Sequence, residues 1–104
     1  MVVIRITKSK AGLITEYAVE GHSGLNESGK DILCAALSAI TQTPILGLEQ
    51  HLHKKPQITL GDGFLQVKLD GADEKTQLLL ATMVSAIEQL KEEYPQYLRI
   101  EGQR

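Results

Sequence analysis

The chain has 104 residues, 42% of them hydrophobic and 23% charged, with a formal net charge of −2. That composition fits one small globular domain and argues against a nucleic-acid binder held by bulk positive charge, while leaving a local basic patch open. Cys34 is the sole cysteine, which excludes an intrachain disulfide. No stretch is expected to reach the apolar length of a membrane span, and the first ten residues lack the order of a signal peptide, so the expectation is a cytoplasmic protein with a reduced thiol, off the membrane.

Val2 to Lys8 alternates, with Val2, Ile4 and Ile6 on one face, and reads as a half-buried strand. Ser9-Lys10-Ala11-Gly12 is a turn. Leu13 to Glu20 alternates again, placing Leu13, Thr15, Tyr17 and Val19 on one side and completing a hairpin. Gly21 to Lys30 breaks the pattern as a glycine-rich loop. Ser28, three residues before Asp31, approximates a capping box.

A helix is expected from there to about Leu52. It is apolar nearly all round between Ile32 and Ile40, which predicts burial on more than one side. Pro44 predicts a kink or break near Thr41–Pro44, because proline lacks the donor and crowds the preceding turn. His51, His53, Lys54 and Lys55 suit a helix C-terminus. Ile58 to Leu60 and Phe64 to Leu69 flank Gly61-Asp62-Gly63, a hairpin signal. Asp73 to about Tyr94 carries a stripe of Leu80, Met83, Val84, Ile87, Leu90 and Tyr94 that Pro95 ends. Tyr97 to Ile100 is a last strand. The order ββαββαβ implies one α+β domain over residues 1–104, with two helices packed on an antiparallel or mixed sheet.

Chemistry concentrates between Gly21 and Thr43. The plain reading of Cys34 is a small buried hydrophobe. Its position supports a second one: it lies in the second turn of a helix, whose N-terminal dipole favours the nucleophilic thiolate. An unperturbed thiol, with pKa about 8.5, is only slightly ionised at neutral pH, so a nearby imidazole matters. His22 precedes Cys34 by 12 residues on the loop leading into the helix, a separation that lets the loop fold back. Asp31 and Ser38, at i−3 and i+4 from Cys34, share its helix face. Asp31 either orients His22 and shapes the charge near the thiolate or caps the helix. Ser38 either hydrogen-bonds near the site or packs as a small residue.

Gly24 to Asp31 misses a phosphate-binding loop by one residue, since Asp31 replaces the magnesium-binding hydroxyl. Gly21-His22-Ser23-Gly24 matches an RNA-clamping GXXG, but His-Ser is a poor substitute for its basic middle residues. His51 and His53, two apart on a helix, diverge, and no metal or other cofactor is expected.

Gly21-His22-Ser23-Gly24, Gly29-Lys30-Asp31-Ile32-Leu33-Cys34-Ala35-Ala36 and Ser38-Ala39-Ile40-Thr41-Gln42-Thr43 resemble the bacterial ribosomal-processing cysteine protease family, Prp. The combination G-H-x-G followed by G-x-D-I-x-C-A-A-x-S-A is specific, and the chain's length and element order fit throughout. Ser23 departs from the family pattern, where alanine is common, and Pro44 falls in a helix that the family carries unbroken. The resemblance implies a homodimeric α+β fold and a Cys–His protease, with Cys34 as nucleophile and His22 as general base. Asp31 and Ser38 would stand near the site, and Gly21, Gly24 and Gly29 would free the loop to close over a peptide. The implied substrate is the N-terminal extension of a large-subunit ribosomal protein, with no direct nucleic-acid contact required. The competing classes are a non-enzymatic ribosome-associated or RNA-binding module using the glycine-rich loop, and a redox-sensing thiol protein.

Overall fold

A computed structural model describes residues 1–21 and 30–103; for Lys30, Asp31 and Gln103 it describes the backbone alone. Strand β1 (Val2–Lys8) buries Val2, Ile4 and Ile6, as its alternation requires. Strand β2 (Ile14–Gly21) pairs antiparallel with it, Ile4 opposite Val19 and Ile6 opposite Tyr17. The register then slips: Thr7 faces Glu16 but Lys8 faces Ile14, so Thr15 is an extra residue. This bulge corrects the plain alternation. Ile14 enters the core in place of Leu13 and Thr15. Its backbone is held from outside the ladder, since the Gln77 side chain accepts from Ile14 N–H at 2.7 Å and donates to its carbonyl at 2.9 Å.

Strands β3 (Gln57–Gly61) and β4 (Phe64–Lys68) form the second hairpin around Asp62 and Gly63, and β4 pairs antiparallel with β2. The last strand, β5 (Leu98–Gln103), runs three residues further than its alternation predicts and lies parallel to β1. The sheet is therefore mixed, in the order β3-β4-β2-β1-β5. One face carries the core. The other is polar, with Arg5 paired to Glu20 and Glu101, Arg99 paired to Glu101, and Gln66 donating to Glu16 at 2.7 Å.

Two helices cover the core face. Helix α1 (Lys30–Leu46) buries Leu33, Leu37, Thr41 and Pro44 at intervals of three or four residues. The expectation of all-round burial is corrected. The helix packs on the sheet core and on the second helix, while Ile32 is 62% and Leu46 52% exposed. Nor does it break at Thr41–Pro44. The α-helical backbone continues through Pro44 to Leu46 and then widens into a π-helical turn over Gly47–His51. Proline already has a helical φ, and neighbouring groups supply hydrogen bonds around it. Thr41 Oγ1 donates to Leu37 O at 2.7 Å, Thr43 Oγ1 to Ala39 O at 2.6 Å, and Tyr17 Oη to Thr41 O at 2.6 Å. His53, with φ of 54°, turns the chain out of the helix end.

Length and composition alone would let Ile32–His51, at 20 residues and mean hydropathy 1.4, cross a membrane, which corrects the reading that no stretch approaches a span. In this fold the segment packs one side against the core, through Leu33, Leu37 and Leu48, and leaves most of its surface outside it. The second helix, α2 (Glu74–Glu93), buries Leu80, Met83 and Ile87. Of its three consecutive leucines only Leu80 is fully buried, and Leu78 is 72% exposed.

Candidate functional site

Cys34 sits in the second turn of α1, half-buried. The buried stripe that anchors the helix passes through Leu33 and Leu37, so Cys34, Ser38 and Gln42 form the adjoining row at intervals of four. That row is one wall of an open cavity of about 210 Å³. The opposite wall comes from the end of β2 and from the β3–β4 hairpin, through Val19, Gly21, Leu60, Gly61, Gly63 and Phe64. Cys34 is thus at an open cleft, not sealed in the core.

Two backbone features hold the far wall in place. Gly21 N–H donates to Gly63 O at 2.8 Å, tying β2 to the hairpin turn. Gly21 has φ of 96°, and a Cβ there would stand 2.5 Å from Met1 O, so only glycine fits. Gly21 therefore has a defined structural role as the end of a strand. Behind the cleft lining, the buried Tyr17 phenol donates to the carbonyl of Thr41, a lining residue. Burial pushes that phenol well above its ordinary pKa, which keeps it a neutral donor.

The lining residues are apolar or glycine apart from Cys34, Ser38, Thr41 and Gln42, and the Thr41 hydroxyl is already committed to Leu37 O. Among the described residues no carboxylate, imidazole or ammonium lines it. The described residues also hold no group of three or more His, Cys, Asp or Glu side chains that could bind a metal, and His51 and His53 belong to no such cluster.

Of the residues singled out from sequence, the structure brings Cys34, Ser38 and Gly21 to one cleft. His22, Gly24 and Gly29 lie outside the described residues, as do the Ser28 cap and most of the near phosphate loop and GXXG segments. Asp31 is on α1 by its backbone, and its side chain lies outside the description. Sequence reasoning missed Gln42, Leu60 and Phe64. Gln42 was findable as the i+8 member of the Cys34–Ser38 row. Leu60 and Phe64 carry no such signal, because nothing local announces that their hairpin folds back beside the helix.

The family model for cysteine protease Prp matches residues 1–99. A ribosomal processing cysteine protease Prp from Staphylococcus aureus is 30% identical over 106 aligned positions, covering 96% of this chain and 97% of that protein. The crystal structure of the essential ribosomal processing protease Prp from S. aureus, with a covalently linked product peptide, superposes with a TM-score of 0.90 at 27% identity, covering 99% of this chain and all of that one. The same protease with a substrate peptide gives a TM-score of 0.89 at 25% identity and 99% coverage of this chain. A Streptococcus mutans protein shares the fold, with a TM-score of 0.86 at 24% identity over 99% of this chain.

Proposed function

The chain belongs to the cysteine protease Prp family, and from that membership we propose a cysteine endopeptidase that removes the N-terminal extension of a large-subunit ribosomal protein during ribosome maturation. The observation that carries this reading is the half-buried Cys34 thiol lining an open cleft at the second turn of a helix. The relatives crystallised with substrate and product peptides add that such a fold accepts a peptide.

In the proposed mechanism His22 takes the Cys34 proton, directly or as a standing ion pair. Chain connectivity supports this assignment: Gly21 lines the cleft, and the next residue is His22. The thiolate adds to the scissile carbonyl, and the tetrahedral oxyanion is stabilised by hydrogen-bond donors. The imidazolium protonates the departing amine, leaving an acyl-enzyme thioester. Water, deprotonated by His22, hydrolyses that thioester and restores the thiol. Asp31 is assigned to orienting His22 and Ser38 to hydrogen bonding beside the thiolate. A reduced thiol with this role fits a cytoplasmic enzyme, and we assign the active form as a homodimer.

The test is cleavage of a peptide spanning the extension junction of the host's ribosomal protein, read by mass spectrometry. Cys34→Ala is expected to abolish cleavage and His22→Ala to reduce it by at least about 100-fold, the usual span of a general base. Cleavage that survives Cys34→Ala overturns the mechanism.

A further inference from the structure

We infer that the peptide substrate is captured as a sixth strand, its main chain hydrogen-bonded to the open edge of β3 beside Cys34. The inference rests on the peptidase reading and adds the binding mode that the reading lacks. Strand β3 ends the sheet, and among the described residues no strand pairs with its outer side. All five of its residues are exposed.

The register identifies the free groups. Gly61 faces Phe64 across a two-residue turn, which makes that pair the hydrogen-bonded closing pair of the hairpin. Thr59 and Gln57 then also bond inward to β4. The N–H and C=O of Ile58 and Leu60 therefore point outward, away from the ladder.

These same two residues carry the apolar side chains. Ile58 is 42% and Leu60 70% exposed. They face Val67 and Leu65 across the ladder and so lie on the core side of the sheet, where both stay exposed. Sheet edges are ordinarily guarded by lysine, proline, a bulge or an inward charge. Gln57-Ile58-Thr59-Leu60-Gly61 has none of these within the strand, and Lys54, Lys55 and Pro56 stand only before its start, at the end away from Leu60. An unguarded edge with alternate apolar side chains is what an extended peptide recognises by strand addition.

Continuity with the cleft singles out the occupant. Leu60 and Gly61 line the cavity that holds Cys34, with Ser38 and Gln42 on the facing wall. A peptide paired at Ile58 and Leu60 thus leads into the thiol's cavity. Its alternate side chains fall on the apolar step of Leu60, and the intervening ones point to the polar side of the sheet. The enzyme should favour apolar residues at every second position along that segment.

Two measurements test this. Leu60→Pro removes the outward N–H at an edge position where proline leaves the β4 ladder intact, and Leu60→Ala controls for the lost side chain. Leu60→Pro should lower kcat/KM at least about 10-fold below Leu60→Ala, mainly through KM, since a main-chain bond is lost on binding. Independently of whether that variant folds, hydrogen exchange on the inactive Cys34→Ala protein should show the Ile58 and Leu60 amides gaining protection when the peptide is added. Wild-type cleavage without that protection overturns the edge-pairing inference and leaves the peptidase reading standing. Protection without any wild-type cleavage sinks the peptidase reading and leaves the docking edge standing.

Discussion

Gln77 shows how a single side chain repairs what the sheet cannot. The bulge at Thr15 takes Ile14 out of simple alternation, and the Gln77 amide closes both of its backbone groups from α2. Leaving buried backbone unpaired costs about 1–3 kcal/mol per group. Gln77→Ala leaves two such groups and should therefore destabilise the fold by about 2–6 kcal/mol, read as a lower urea midpoint at unchanged slope. A midpoint equal to wild type would mean that water replaces the amide at no loss. Sequence alternation foresaw the strand but not the bulge, because the signal for it lies on a helix 63 residues away. Cys34 is the opposite case. Its helix position was legible directly, and Ser38 followed from the turn of the helix. Its cleft was not legible, since five of its lining residues come from a hairpin distant in sequence.

Among the elements, α2 is the most completely written in local sequence. Asp73 accepts from Thr76 N–H at 2.9 Å, and the Thr76 hydroxyl returns to Asp73's backbone, a full capping box. The Thr76 bond, aided by Lys54, holds the Asp73 carboxyl below its ordinary pKa. A carboxyl depressed in the folded state contributes stability above its unfolded pKa and loses it as pH falls through the folded value. Asp73→Ala should thus unfold more readily than wild type at neutral pH, with the difference narrowing in the acid range below the ordinary aspartate value. Thermal unfolding of both proteins across that range checks it, and a difference that widens on acidification would contradict it. Helix α1 was less legible. Proline rules predict a break, but three hydroxyls, from Tyr17, Thr41 and Thr43, bond to carbonyls around Pro44, and the departure from α geometry falls at Gly47–His51 instead. The strand order was legible only as hairpins. The parallel β1–β5 pair joins the two ends of the chain, which no local pattern specifies.

At the scale of the molecule, two helices on a mixed sheet leave a seam open between α1 and the β3–β4 hairpin, and Cys34 lines it. The outer side of the helix layer keeps a separate apolar groove between α1 and α2, lined by Ile40, Leu46, Leu78 and Leu79. Exposed apolar surface of this kind supports the proposed homodimer. Leu46→Glu should convert a dimer to a monomer in sedimentation experiments, with dimers that persist contradicting that interface. The peptidase account itself turns on one covalent bond. Intact-mass analysis during rapid-quench turnover of an activated ester of the extension peptide should find one adduct, equal in mass to the acyl fragment and mapping to Cys34. It should be absent in Cys34→Ala. Ester turnover that proceeds with no adduct on Cys34, or at an undiminished rate in Cys34→Ala, would contradict the account.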